Sequence, residues 1–179
     1  MRVELRPEGY NLLDHSREKC RGGGTALLYR DSICVHKINA GNRTSYEISE
    51  WLIYLTSAKK MRVVIVYCPP YSGEHKVPTS VFFNEFSAYL ELLLLCKEWL
   101  LLCGDFNIHI DSVDDPDSVK FHDLLESVGL WQHVKKSTHN DSHTLDLIIA
   151  HFTDSTICKE PQVDRFISDH TSVMSCISL

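Results

Sequence analysis

Two polar clusters stand at the ends of apolar segments, and their side chains are of the types that hydrolyse phosphate esters. The first cluster, Gly104-Asp105-Phe106-Asn107, closes an apolar run that begins at Leu100. The second, Ser168-Asp169-His170, stands directly before another apolar run near the C-terminus. Carboxylate, amide and imidazole groups at strand ends can orient an attacking water molecule and hold a metal ion against a phosphate. The pattern therefore predicts metal-assisted attack of water on a phosphate ester.

Asp105 and Asn107 are two residues apart at a predicted strand end, so their side chains should leave the same side while Phe106 turns inward. A carboxylate and an amide held side by side can orient a water molecule and bind a phosphate oxygen. The alternative is an ordinary turn after a strand, where aspartate and asparagine are both common. The tetrapeptide taken alone leaves both interpretations open.

Asp146 stands out because aliphatic residues flank it in the segment Leu145-Asp146-Leu147-Ile148-Ile149. A carboxylate is costly to bury unless it is paired, and an imidazolium is a natural partner. We therefore expect Asp146 to contact His170. The alternative for Asp146 is an edge strand facing water. His170 carries little information by itself, because the chain has 10 histidines.

Three further features could belong to a functional site. Tyr67 ends an apolar segment, where its hydroxyl could contact a phosphate or its ring could fill the core. Gly22-Gly23-Gly24 is followed by neither a Lys-Ser/Thr pair nor a helical pattern, so a turn entering a strand is favoured over a phosphate loop. The acidic segment 111–117 lacks the ligand spacing of a calcium loop and is interpreted as a connection.

Composition fits one domain with a packed core. The chain has 179 residues, of which 44% are hydrophobic and 23% are charged. Its net charge of -6 argues against a protein that coats nucleic acid by bulk attraction. A hydrolase whose carboxylates bind a divalent cation needs no such excess of basic residues.

The sequence also predicts where the protein resides. The longest apolar tract, 89–103, is interrupted by charges and shorter than the roughly 20 residues of a membrane span, so no membrane association is expected. The 7 cysteines have no metal-binding or redox spacing, and the polar N-terminus lacks a signal peptide. We expect an intracellular protein in a reducing compartment.

The elements that must position these groups are strands with helices inserted between them. Strand patterns occupy 25–29, 33–38, 46–55, 61–67, 100–107, 144–150 and 171–177. One amphipathic helix is predicted over 78–96, and a second begins after a cap at Asp115 and ends at Gly129. Short connections make the strands before residue 67 antiparallel neighbours. This order predicts an α+β protein with stacked sheets and helices on the outer faces.

Taken in order, these motifs resemble the endonuclease/exonuclease/phosphatase superfamily, and within it the apurinic-type endonuclease domains of LINE-like non-long-terminal-repeat retrotransposons. The resemblance covers Pro7-Glu8-Gly9-Tyr10, the triple-glycine strand entry, Val66-Tyr67-Cys68-Pro69-Pro70, Gly104-Asp105-Phe106-Asn107, Thr144-Leu145-Asp146-Leu147-Ile148 and Ser168-Asp169-His170. It implies a single domain over 1–179 with a four-layer α/β sandwich, in which two facing, mainly antiparallel sheets are flanked by helices. It also implies Mg²⁺-dependent cleavage of a DNA phosphodiester, with Mn²⁺ as an alternative ion.

The resemblance further implies a role for the residues of the first cluster. Asp105 would orient or deprotonate the attacking water, and Asn107 would steady that carboxylate and the phosphate. Tyr67 would contact the scissile phosphate.

For the second cluster, the resemblance implies that His170 stabilises charge on the transition state and that Asp146 holds its ring. Asp169 would lie near the metal ion. A DNA substrate would require entry into the nucleus. The sequence does not define an oligomeric state, and a monomer is the default expectation.

The chain departs from the family at its start. Members carry a metal-site asparagine and a metal-binding glutamate on strands that precede the Pro-Glu-Gly-Tyr turn. Here six residues precede that turn, and Glu4 stands too close to it to be assigned. We therefore expect the N-terminal part of the domain and its first strands to be missing. Two alternatives stay open: an inactive remnant, with or without nucleic-acid binding, and a phosphoesterase of the same fold with another substrate, such as a phosphoinositide or sphingomyelin.

Overall fold

The computed structural model describes residues 7–15, 24–56, 58–70, 72, 75–153, 156–166 and 168–178, and all structural statements below refer to these. They form the elements β1 (Tyr10–His15), β2 (Thr25–Arg30), β3 (Cys34–Ile38), β4 (Glu47–Tyr54), β5 (Lys60–Tyr67), α1 (Thr79–Leu93), β6 (Trp99–Asp105), α2 (Pro116–Ser127), β7 (Leu130–Gln132), β8 (Asp146–His151), β9 (Gln162–Phe166) and β10 (Thr171–Met174). Glu4, Gly22 and Gly23 lie outside the described residues.

Six of the strands form one mixed sheet, in the order β3-β4-β5-β6-β8-β7. Within it β5 and β6 are parallel, and α1 provides the crossover that a parallel pair requires. β3, β4 and β5 are antiparallel neighbours, which confirms the prediction from their short connections. The pairing directions place the start of β4, the ends of β5 and β6 and the start of β8 at the same end of the sheet.

The two helices cover one face of this main sheet. Their apolar faces are buried, with Phe82, Phe83, Phe86, Tyr89, Leu90 and Leu93 on α1 and Phe121 and Leu125 on α2. Phe86 stacks on Phe121 with ring centroids 6.0 Å apart, so the helices share one core with the sheet. At 15 and 12 residues, neither helix is long enough to cross a membrane.

The boundaries of α2 follow the signals in the sequence. The Asp115 side chain caps the helix by accepting hydrogen bonds from the backbone N–H groups of Asp117 and Ser118, and Pro116 occupies the first helical position. Gly129 follows the last turn with φ of 68°, a conformation that favours glycine.

The opposite face of the main sheet is covered by two antiparallel ladders, β1–β2 and β9–β10. A second core lies between these layers, around the fully buried Trp51, and includes Leu13 and Leu27 from one ladder and Val163 and Val173 from the other. The architecture confirms the predicted α+β sandwich of stacked sheets with outer helices. The second layer consists of two separate ladders, and the helices of the described residues lie on one side.

Three strands were not predicted: β1, β7 and β9. β7 has only 3 residues, too few to give a periodic pattern. β9 is mostly exposed, so its residues lack the apolar alternation of a half-buried strand. β1 contains both apolar and polar residues and is defined by its pairing with β2. The predicted strand 171–177 ends earlier, at Met174.

Candidate active site

Four polar side chains stand in one row across the main sheet. Glu47 on β4 pairs in register with Tyr67 on β5. Tyr67 pairs in turn with Asp105 on β6, and Asp105 pairs with Asp146 on β8. Register partners project from the same face of a sheet. Ile65, Cys103 and Ile148, two positions away on β5, β6 and β8, belong to the second core, so this site row faces the two small ladders and not the helices.

Asp105 and Asn107 are adjacent, as the spacing predicts, and Phe106 between them is fully buried. The Asn107 backbone N–H donates to Asp105 Oδ1 at 3.0 Å, and Asn107 Nδ2 donates to Oδ2 at 3.0 Å. Asn107 Nδ2 also donates to the Cys68 carbonyl at 2.7 Å. Asn107 has φ of 48°, which ends β6 at Asp105 and turns the amide back towards the carboxylate. The local structure is thus a turn that fixes the carboxylate.

Gly104 lets β6 approach β5 closely at this point. A Cβ atom at position 104 would lie 1.9 Å from the Val66 carbonyl oxygen, and the residue has φ of 135°. Both features require glycine. The glycine of the motif therefore has a packing role, because it brings Asp105 level with Tyr67 in the site row.

The Asp105 carboxyl group is harder to ionise than an ordinary aspartate. Burial raises its pKa from 3.8 to about 6; the Asn107 backbone hydrogen bond lowers it, the Asp146 charge raises it, and the His170 and His139 charges lower it. A carboxyl group with this pKa is ionised at neutral pH and still binds a proton readily.

The predicted contact between Asp146 and His170 is present. His170 Nδ1 lies 2.8 Å from Asp146 Oδ2, with side-chain exposures of 30% and 24%. Asp146 is on β8, which lies between β6 and β7, so the alternative of an edge strand facing water is wrong. Burial alone would lower the His170 pKa, but the hydrogen bond and charge of Asp146, with the charges of Asp105 and Asp169, outweigh burial and raise it.

Thr138 joins the segment before β8 to the β9–β10 ladder. It is fully buried, and its Oγ1 accepts hydrogen bonds from the N–H groups of Leu145 and Asp146 at 3.0 and 2.9 Å. Its carbonyl accepts from the Thr171 N–H at 2.9 Å. These bonds engage the backbone before β8, so the strand begins at Asp146, two residues later than in the predicted strand 144–150, and the loop with His170 is held against it.

The remaining predicted residues lie around this centre. Tyr67 is half-buried in the site row. Asp169 is exposed, and its carbonyl accepts from the Asn140 N–H at 2.9 Å. A hydrogen bond from the Ser168 side chain lowers the Asp169 pKa, as do the His170 and His139 charges. The structure therefore brings Tyr67, Asp105, Asn107, Asp146 and His170 together and places Asp169 at their border.

Two nearby residues were missed by the sequence analysis. Glu47 occupies the fourth position of the site row, and its carboxylate accepts a hydrogen bond from the Gly24 N–H. His139 forms a β-bridge with His170. Neither has a local signal, because Glu47 shares its segment with a second glutamate, Glu50, and His139 is one of 10 histidines.

The donor set at the site fits a hydrated Mg²⁺ ion, which proteins bind through one or two carboxylates together with waters and substrate phosphate. Asp105 and Asp169 supply such oxygens. Each Asp105 oxygen accepts a hydrogen bond from Asn107 and keeps a lone pair, so the turn at Asn107 leaves capacity for a cation.

A family model described as endonuclease-reverse transcriptase matches residues 61–174. That range contains Tyr67, Asp105, Asn107, Asp146 and His170, and Glu47 lies before it. No curated protein sequence matches the chain.

Solved structures resemble the chain over nearly its whole length. The Xenopus laevis APE2 catalytic domain is 13% identical with a TM-score of 0.65, over 96% of this chain and 76% of that one. The 3′ phosphatase NExo from Neisseria, bound to a product DNA hairpin, is 17% identical with a TM-score of 0.63, and the match covers 96% of this chain and 80% of that one. The human Nocturnin catalytic domain is 17% identical with a TM-score of 0.59, and the match covers 93% of this chain and 71% of that one. At these identities the likeness is one of fold.

Proposed function

Because the chain belongs to the endonuclease-reverse transcriptase family of the endonuclease/exonuclease/phosphatase superfamily, we propose that it is a metal-dependent DNA endonuclease of retrotransposon origin. One observation carries the proposal: the fixed Asp105 carboxylate and the Asp146–His170 pair meet in one row at one end of a sheet. A base and a charged hydrogen-bond donor on either side of a phosphate suit hydrolysis of a diester.

Asp105 is the proposed general base. It takes a proton from the attacking water, whose oxygen forms a bond to phosphorus while the bond to the leaving sugar oxygen breaks. The electron pair of the broken bond stays on the sugar oxygen, which takes up a proton from solvent water. A pKa of about 6 suits this role, because the group is ionised at neutral pH and its basicity is close to the working pH. Asn107 holds both carboxylate oxygens in place, so that the carboxylate does not have to reorient during the reaction.

His170 is the proposed stabiliser of charge on the phosphate. Asp146 binds its Nδ1 and favours the imidazolium, which leaves Nε2–H to donate to a non-bridging phosphate oxygen as negative charge develops. Asp146 is thus a positioning residue. The Tyr67 hydroxyl would bind the same phosphate from the next strand in the site row.

The family's enzymes generally depend on a divalent metal ion, and Asp169 with Asp105 would hold it in this chain. Mg²⁺ is the proposed ion, with Mn²⁺ as the alternative. Such an ion supplies charge neutralisation and polarises the phosphate.

DNA is the proposed substrate because several similar structures are of DNA-processing enzymes, including NExo with a DNA hairpin and zebrafish TDP2 with a single-strand DNA product, the latter at 11% identity and a TM-score of 0.54. A DNA substrate would place the protein in the nucleus, and we propose that it acts there as a monomer. A bacterial mannosyl-6-phosphatase shares the fold with a TM-score of 0.59, so substrate class needs a direct test.

The proposal is tested by incubating supercoiled plasmid with the purified protein, with Mg²⁺ and with a chelator. Asp105→Asn and His170→Ala should each lower the nicking rate by roughly 10²–10⁴-fold, the range for loss of a general base or a preorganised donor. Asp123→Asn and His122→Ala on α2, across the sheet from the site, are the matched controls and should nick at the wild-type rate.

Three other outcomes would contradict the proposed site, its substrate or its activity. Nicking that persists in Asp105→Asn or His170→Ala would refute this site. A folded wild-type protein that cleaves no plasmid, but hydrolyses a member of a phosphoester panel, would support another substrate. A folded protein inactive on every substrate would support the inactive remnant.

A further inference from the structure

A second cluster of ligand-type side chains adjoins the site row. His139, Asp169 and His170 each offer one ligand atom, and these three atoms lie within 4.8 Å of one another. The backbone fixes their arrangement, since His139 and His170 form an antiparallel β-bridge and the Asn140 N–H donates to the Asp169 carbonyl at 2.9 Å. The two rings are 4.9 Å apart at an angle of 73°, so they are not stacked.

His170 is oriented as metal-binding histidines usually are. A metal-ligating imidazole typically donates its other ring N–H to a carboxylate, which fixes the tautomer and aims the free nitrogen at the ion. In this chain Asp146 Oδ2 lies 2.8 Å from Nδ1, which leaves Nε2 as the atom available to a ligand.

His139 has a carboxylate at the equivalent position. Its Nδ1 lies 3.6 Å from Asp141 Oδ2 and accepts the Asp141 backbone N–H at 3.2 Å. Binding a metal ion through Nε2 requires the Nδ1–H tautomer, in which His139 gives up the hydrogen bond from the Asp141 N–H and donates instead to the Asp141 carboxylate after a small shift. His139 is largely buried, with 17% of its side chain exposed, so its ring is held beside His170.

We propose that His139, Asp169 and His170 form a site for a transition-metal ion of the Zn²⁺ class, and that occupation of this site blocks hydrolysis by engaging His170. The proposal thus has a binding half, that the three residues bind the ion, and a blocking half, that the bound ion inhibits hydrolysis. The blocking half rests on the proposed function, whereas the binding half does not. The ligand set distinguishes this ion from Mg²⁺, because two imidazole nitrogens suit zinc, whereas Mg²⁺ prefers oxygen ligands.

The geometry needs only local adjustment. Zinc bonds of about 2.0–2.1 Å in a tetrahedron place ligand atoms roughly 3.3 Å apart. The atoms of the cluster are at most 4.8 Å apart, and the exposed Asp169 side chain can turn inward once its hydrogen bond from Ser168 is broken. Water or a phosphate oxygen would complete the tetrahedron.

The binding half is tested on the metal-stripped full chain by calorimetric titration with Zn²⁺ and by visible absorption with Co²⁺. Wild type should bind one ion. His139→Gln should bind at least about tenfold more weakly, since even the loss of an outer-shell partner costs roughly 10–100-fold. His139→Cys should restore tight zinc binding, because thiolate is also a zinc ligand, and a purely structural role for His139 would give no such rescue.

His109→Gln is the matched control, because it makes the same change at an exposed histidine whose ring stacks on His143. Its zinc affinity should equal that of the wild type. Equal affinity in His139→Gln, or an equal loss in His109→Gln, would overturn the proposed site, provided that circular dichroism shows each variant folded.

The blocking half is tested by adding Zn²⁺ to plasmid reactions that contain saturating Mg²⁺, with each protein normalised to its own rate without zinc. Inhibition of His139→Gln should require at least about tenfold more zinc than inhibition of the wild type. Tight zinc binding without inhibition would overturn the blocking half alone. Absence of nicking without zinc would instead count against the proposed function, and the titrations would still decide the site.

Discussion

Replacing Asp105 with asparagine should lower the nicking rate by roughly 10²–10⁴-fold and yet stabilise the protein at neutral pH. The Asp105 pKa is raised from 3.8 to about 6, chiefly by burial, so the folded state disfavours the charged carboxylate. A difference of roughly 2 units at 1.36 kcal/mol each gives a penalty of about 3 kcal/mol when the group is fully ionised. The asparagine variant never incurs this penalty.

Part of this stabilisation is offset, because Asp105→Asn weakens the hydrogen bonds in the turn at Asn107. Both Asp105 oxygens accept hydrogen bonds from Asn107, and an asparagine side chain can accept only one of them while its amide faces the Asn107 Nδ2 donor. One lost hydrogen bond costs about 1–1.5 kcal/mol. The net stabilisation expected at about pH 8 is therefore about 1–2 kcal/mol.

The pH dependence provides the sharper test. Because the folded pKa lies above the unfolded value, the contribution of Asp105 to stability is fully present below about pH 4 and is lost as the pH rises through about 6. The variant has no such titration. The free energy of unfolding of Asp105→Asn minus that of the wild type should thus rise steadily between these pH values and level off above them.

Urea unfolding followed by tryptophan fluorescence, with chelator present, measures this difference, because Trp51 is fully buried in the second core. Asp123→Asn, at an exposed position on α2, should leave the pH profile of the wild type unchanged. A stability difference for Asp105→Asn that is constant from about pH 4 to pH 8 would refute the reasoning.

Three further predictions concern the elements around the site. Gly104→Ala should lower the free energy of unfolding by about 3 kcal/mol or more, because the new Cβ meets a backbone carbonyl. Gly129→Ala, at a residue with positive φ but open space around it, should lower the free energy of unfolding by only about 1–2 kcal/mol, and urea unfolding of both variants measures the difference. Asp146→Asn should lower the His170 pKa by removing the carboxylate that raises it, and an NMR titration of the imidazole would contradict this if the midpoint stayed unchanged. Asp115→Ala should cost about 1 kcal/mol through loss of the α2 cap, and a thermal midpoint equal to the wild type would show that the cap contributes nothing.

Much of the fold could be predicted because its signals are local. Helical periodicity over 78–96 indicated the first helix, and Asp115 indicated the start of the second, since periodicity and capping act within one or two turns. Strands without an apolar alternation, such as β1 and β9, were missed because cross-strand pairing alone defines them.

The candidate site divides in the same way. The chemistry of the clusters around Asp105 and His170, and the need of Asp146 for a partner, could be inferred from the residues alone, because residue types and flanking residues are properties of the chain. Three relations emerge only on folding: Glu47, Tyr67, Asp105 and Asp146 share a row, Gly104 permits the approach of β6 to β5, and His139 adjoins His170. These contacts depend on the register of hydrogen bonds between strands that are far apart in the chain, and that register cannot be inferred from the spacing of residues along the chain.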